Sequence, residues 1–323
     1  PLAGEDTLIP FATAQTELDT LRFVLNGVAG GFSSKAWRHV LLRPALDPSD
    51  EPSVYLGIAE PLGTGLASCT LATATLKYRM NDLVVPPISN NMRDSGTGTA
   101  IGLTRAQDGG SPVSIELLSH WAARFTVRGN DGRYLSSSQS STSKLATEIH
   151  GRTQVTWEVV VDNNDTASSG STPYWLMMAA NGDHAQSFGL AFTDRDTVQA
   201  IVRTGSSTTA TWSWDVPPLA QSQRVVLHLV FDSTRATASE RLRLYYDGSL
   251  RAPASSPTIA QNATAYIYSG SGGGPQNQSL LALGNATNSN PDRSPLADIY
   301  WFASYPQALS ADDVRKHTRV LLK

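Results

Sequence analysis

Residues 298–305, Asp-Ile-Tyr-Trp-Phe-Ala-Ser-Tyr, are dense in aromatic and β-branched side chains, and Pro306 follows them directly. Such a run reads as a buried strand. Proline ends it, because proline has no N–H to give to the ladder. Ser310 then stands where a helix cap belongs, with Asp312 and Asp313 in the first turn at the positive end of the dipole. Val314, His317, Val320 and Leu321 recur at helical spacing, so one face of a short helix is expected to pack back on a sheet.

The rest of the chain must supply that sheet, and it offers many strands. Gln154–Asp162 alternates, with Val155, Trp157, Val159 and Val161 on one face and Thr156, Glu158 and Val160 on the other. Tyr174–Met178, Phe188–Phe192, Thr197–Val202, Thr209–Trp214 and Leu280–Leu283 follow the same logic. Val225–Phe231 is almost wholly apolar, as in a central strand covered on both faces. Leu242–Tyr246 runs into Asp247-Gly248, a tight turn that needs positive φ. Charged residues make up only 16% of the chain, against roughly 25% in ordinary globular proteins. Ser, Thr, Gly and Asn take their place, as short strands joined by polar turns require.

The first seventy residues are less legible. Trp37–Leu42 and Ser53–Ile58 read as strands on either side of the turn-rich 44–52. Leu21–Leu25 is either a strand entering Asn26-Gly27 or part of an amphipathic helix over 13–25. Along 67–80 the apolar phase slips near residue 71, which marks a bulge or a boundary. Two regions follow: 1–72, a strand-rich N-terminal extension or small β module, and 73–323, an all-β domain.

Three short motifs occur in order within the second region. They are Asp94-Ser95-Gly96-Thr97-Gly98 after Tyr78–Asp82, Leu242–Leu250 with its Asp247-Gly248 turn, and the closing strand with its Pro-Gln-Ala-Leu-Ser elbow. Phe125–Leu135 lies between the first and second. Together they resemble laminin-G-like domains of the concanavalin-A-like lectin/glucanase superfamily over about 75–323. The resemblance implies a two-sheet antiparallel jelly-roll sandwich with a short C-terminal helix.

The superfamily also contains enzymes. Its glucanases carry Glu-x-Asp-x-Glu on one strand, which sets two carboxylates across a sugar bond. This chain has eight Glu, at 5, 17, 51, 60, 116, 148, 158 and 240, and no two are closer than nine residues. The fold's lyase motifs are missing too, so catalysis is not expected. The six His (39, 120, 150, 184, 228 and 317) form no His-Glu-x-x-His or His-x-His, and His228 inside an apolar strand reads as a hydrogen-bonded core residue. Ser269–Gly274 is a flexible loop with no helix after it to hold a phosphate.

A net charge of −3 without a basic cluster excludes a nucleic-acid face. No apolar run approaches the roughly 20 residues of a membrane span. Cys69, the only cysteine, allows no intrachain disulfide and reads as a small buried hydrophobe. The chain opens on Pro1 rather than Met, which suits a processed secretory product. A secreted or cell-surface address is expected.

The resemblance implies a structural calcium between Asp298 and the loop Gly129-Asn130-Asp131; the alternative is a capped loop and an Asx-turn. A ligand-binding rim could draw on Asn181, Asp183, Asp194 and Asp196, although Asn181-Gly182-Asp183 is also a plain turn sequence. Trp175, Trp212 and Trp214 are candidate sugar platforms, with core packing as the competing assignment. Asn-x-Ser/Thr sequons stand at Asn164, Asn262, Asn277 and Asn285, all in turn-like stretches. The expected function is non-catalytic binding of a glycan or glycoprotein. The alternative is a structural subunit of an extracellular assembly that pairs with copies of itself through residues 1–72. A polysaccharide-cleaving enzyme with an atypical site ranks third.

Overall fold

The structure, a computed structural model, describes residues 74–79, 91–92, 94–106, 115–118, 122–129, 132–137, 139–140, 142–167, 170–181, 186–205, 208–217, 223–267, 279–287 and 293–322. All lie in the unit Leu71–Lys323. The expectations for residues 1–72, including Cys69, fall outside the described residues, as does the loop 269–274.

The described residues form two antiparallel sheets. The first runs β14 (Ser249–Arg251), β13 (Leu242–Tyr246), β12 (Arg224–Asp232), β7 (Gln154–Asn163), β16 (Ala297–Tyr305), β5 (Ala122–Phe125), β4 (Ile115–Leu118), and β1 (Leu76–Arg79) pairs with the far end of β16. The second runs β11 (Thr208–Asp215), β10 (Thr197–Thr204), β9 (Gln186–Phe192), β8 (Tyr174–Asn181), β15 (Ser279–Leu283), β6 (Arg133–Ser136), β3 (Leu103–Ala106), β2 (Asn91–Met92). Two helices complete it: α1 (Lys144–Ile149) and α2 (Ala311–Leu321).

The core lies between the sheets. Val155, Trp157, Val159 and Val161 of β7 face inward, as the alternation predicts, and meet Phe188, Leu190 and Phe192 of β9 in one cluster. Trp157 packs edge-on against Phe188 of the opposite sheet, with ring centroids 4.4 Å apart. Each such side chain, fully buried, contributes about 1.5–3 kcal/mol.

The quoted motifs each have a structural task. Asp94 is buried, and its carboxylate accepts the N–H groups of Lys77, Gly96 and Ile101 and pairs with Lys144 of α1. Gly96 is obligatory there, since a Cβ would stand 2.2 Å from the Thr75 carbonyl oxygen. Asp247 (φ 48°) and Gly248 (φ 78°) make the positive-φ turn between β13 and β14.

The closing helix differs from expectation in one respect. Ser310 caps it, accepting the Asp313 N–H at 3.1 Å. The buried stripe is Val314, His317 and Thr318, while Val320 is 43% exposed. At 100° per residue, Val320 falls off the stripe that the other three define. Helix α1, capped by Ser143, was not foreseen.

Candidate functional site

The outward face of the first sheet carries the most chemistry. One of its inner strands, β16, shifts register against β7: Ile299 stands opposite Val161 and Trp301 opposite Val160, with Tyr300 between them. Such a bulge sets two residues opposite one and re-aims side chains. Ile299 and Phe302 stay in the core cluster, while Tyr300 and Trp301 both turn outward. The bulge divides the face into a covered end and an open end.

At the covered end, α2 closes over Glu158. Glu158 Oε1 accepts from Trp301 Nε1 at 2.7 Å and from the Tyr305 hydroxyl at 3.0 Å. Its Oε2 meets His228 Nε2 at 2.9 Å and His317 Nδ1 at 2.6 Å. Glu158, His228 and His317 have no exposed surface. Burial alone would raise the Glu158 pKa, but hydrogen bonds from both histidines and their charge outweigh it and hold the carboxyl at about 2.

At the open end, the Arg224 guanidinium lies over the Tyr300 ring, 3.8 Å from its centroid. Arg224 is exposed and Tyr300 half-buried. Burial raises the Tyr300 pKa; the hydrogen bond with Arg224 opposes this, and the charges of Asp298 and Asp162 add to it. Asp162 and Asp298 are cross-strand partners, and so are Asp298 and Arg124. The result is a short strip of two guanidiniums, two carboxylates and one phenol. Asp162 and Asp298 are 3% and 1% exposed. A glycosidase pair must reach both sides of a sugar bond, and two carboxylates sunk in the sheet surface do not.

A second polar group lies at one end of the sandwich. Arg128 pairs with Asp165 at 2.9 Å, donates to the Thr193 carbonyl at 2.9 Å and stacks on Tyr174 at 4.2 Å.

Several expected site residues take other roles. Trp175, Trp212 and Trp214 are no more than 1% exposed. Trp212 and Trp214 fill the core between the sheets, and Trp175 packs with Met178, Ala180, Ala191, Ile201 and Ala286. None is an open platform; their apolar area is worth more inside. Asp298 accepts two hydrogen bonds from Arg124, at 2.8 Å each, one on each carboxylate oxygen. The Gly129 N–H donates to the Ser294 carbonyl. Asp194 accepts the Asp196 N–H in a local turn. Asn130, Asp131, Asp183, Asn277 and the side chain of Asn181 lie outside the described residues.

Among the sequons, Asn285 is fully buried: its side chain donates to the Gly132 carbonyl and accepts from the Ala286 and Arg293 N–H groups. A glycan there would destroy that arrangement. Asn164 is half-buried, and Asn262 is exposed at φ 58°.

No family model matches the chain, and no curated protein matches it. Solved structures share its fold. A receptor binding domain superposes with a TM-score of 0.52 at 9% identity, covering 80% of this chain and 53% of that one. The binding domain of botulinum neurotoxin DC, in complex with SialylT, gives 0.49 at 7% identity, covering 77% and 52%. A Trypanosoma rangeli sialidase in complex with sialic acid gives 0.47 at 12% identity, covering 76% and 33%. This chain therefore spans about half the length of the first two. What the receptor binding domain shares with it is the β-sandwich.

Proposed function

We propose that the chain is a non-catalytic, laminin-G-like binding module that recognises a glycan or glycoprotein at a secreted or cell-surface location. The observation that carries this reading is the open end of the first sheet, where the exposed Arg224 guanidinium lies over the half-buried Tyr300 ring, with Arg124 beside it. A few fixed polar groups of this kind, guanidinium, carboxylate and phenol, can orient the hydroxyls of a sugar. Receptor binding by a domain of the same fold is consistent with this reading.

The test is a glycan and glycoprotein array probed with the wild-type chain, Tyr300→Ala and Arg224→Ala. Loss of a stacking contact worth about 1.4 kcal/mol weakens binding about tenfold. A folded wild-type chain that binds no glycan or glycoprotein sinks the proposal. If both variants bind as wild type does, the strip is the wrong site.

A further inference from the structure

Three ionisable side chains from distant stretches of sequence meet beneath α2: Glu158 of β7, His228 of β12 and His317 of the helix itself. One ligand atom from each lies within 4.8 Å of the other two. From this geometry we propose that they bind a divalent transition-metal ion of the zinc type, which pins α2 to the sheet.

The donor set is right for such an ion. Two imidazoles and a carboxylate suit borderline cations, whereas calcium and magnesium favour oxygen alone. The outer carboxylate oxygen is already held by Trp301 and Tyr305. Partners of that kind orient a ligating group before the metal arrives.

Both imidazoles converge on a single carboxylate oxygen. Bonds of about 2.0–2.2 Å at tetrahedral angles place ligand atoms about 3.3 Å apart. The present nitrogen–oxygen separations are 2.9 and 2.6 Å. The ion therefore requires the two separations, 2.9 and 2.6 Å, to widen by about 0.4 and about 0.7 Å. His317 can do this as α2 shifts on its elbow at 306–310. His228 is fixed in β12, so the carboxylate and the helix take up most of the change.

The experiment uses the full chain, stripped with a chelator. Zn2+ is titrated by calorimetry and by thermal melting, and Co2+ is added as an optical probe. The expected result is one Zn2+ per chain, an unfolding midpoint raised by several degrees and a visible Co2+ d–d band. Glu158→Gln keeps the side-chain shape but loses the charge, and should bind at least about tenfold more weakly. His317→Gln should lose the Zn2+-dependent gain in midpoint. A folded wild-type chain that takes up no Zn2+ and shows no Co2+ band overturns the proposal. So does equal Zn2+ uptake by a folded His317→Gln chain, since the ion is then held elsewhere.

Discussion

Arg124 holds Asp298 through two parallel hydrogen bonds, Nε to Oδ1 and Nη2 to Oδ2, each 2.8 Å long. The fork geometry matches a carboxylate and gives the strongest pairing that arginine makes. It stands where the family resemblance implies a metal ligand. The Arg124 side chain is 37% exposed and that of Asp298 2%, so solvent screens one partner only. Arg124→Met should cost about 2–3 kcal/mol, because it leaves a buried carboxylate unpaired. Millimolar calcium should leave the wild-type unfolding midpoint unchanged. A rise with calcium that Asp298→Asn abolishes would show that Asp298 has another partner.

The bulge at Tyr300 offers a test that separates binding from stability. Deleting Tyr300 restores simple alternation: Ile299 stays inward, Trp301 outward and Phe302 inward. The expected outcome is a folded protein with an intact Trp301–Glu158 bond and no Arg224 stack. Ligand binding should be lost while the midpoint falls by no more than a few degrees, about 1 kcal/mol for a domain of this size. Binding that survives the deletion would remove Tyr300 from the site.

Lys144 is the counter-ion of a fully buried carboxylate. Its Nζ pairs with Asp94 and donates to the Thr75 and Thr97 carbonyls at 2.7 and 2.9 Å. Lys144→Met should destabilise the domain by about 3 kcal/mol in urea unfolding. A loss below about 0.5 kcal/mol would mean that the three backbone N–H groups on Asp94 suffice.

Asp232 gives a pH dependence of definite sign. Burial opposes its charge, but hydrogen bonds from Thr234, Gln154 and Arg235 prevail and lower its pKa below the ordinary value of 3.8. A lowered folded-state pKa adds stability above the unfolded value and loses it as pH falls through the folded one. The gap between wild type and Asp232→Asn should be about 1 kcal/mol at pH 7 and should close below about pH 3.9. A gap independent of pH would assign the effect to lost hydrogen-bond geometry instead.

Much of the fold was legible in the sequence because sandwich strands carry a period of two. Gln154–Asp162 and Val225–Phe231 fall within one residue of β7 and β12 at each end. The site was less legible. Glu158, His228 and His317 are far apart in sequence, and only pairing between β7 and β12 makes Glu158 and His228 neighbours. The sole local signal was a polar residue inside each of two apolar runs. The tryptophans misled for a related reason: Trp212 and Trp214 share a face, but nothing local reveals which face is buried. Tyr300-Trp301-Phe302 held a further clue, since three consecutive aromatics cannot all alternate into one core.

The position of β16 constrains the order in which this molecule can be made. It lies between β7 and β5 and also carries β1, all of which precede it in the chain. At ordinary translation speeds the ribosome needs on the order of ten seconds to pass from β7 to β16. Throughout that interval β5 and β7 wait for the strand that joins them in the finished sheet. The first sheet therefore closes late, and the Trp301–Glu158–His317 lock forms later still.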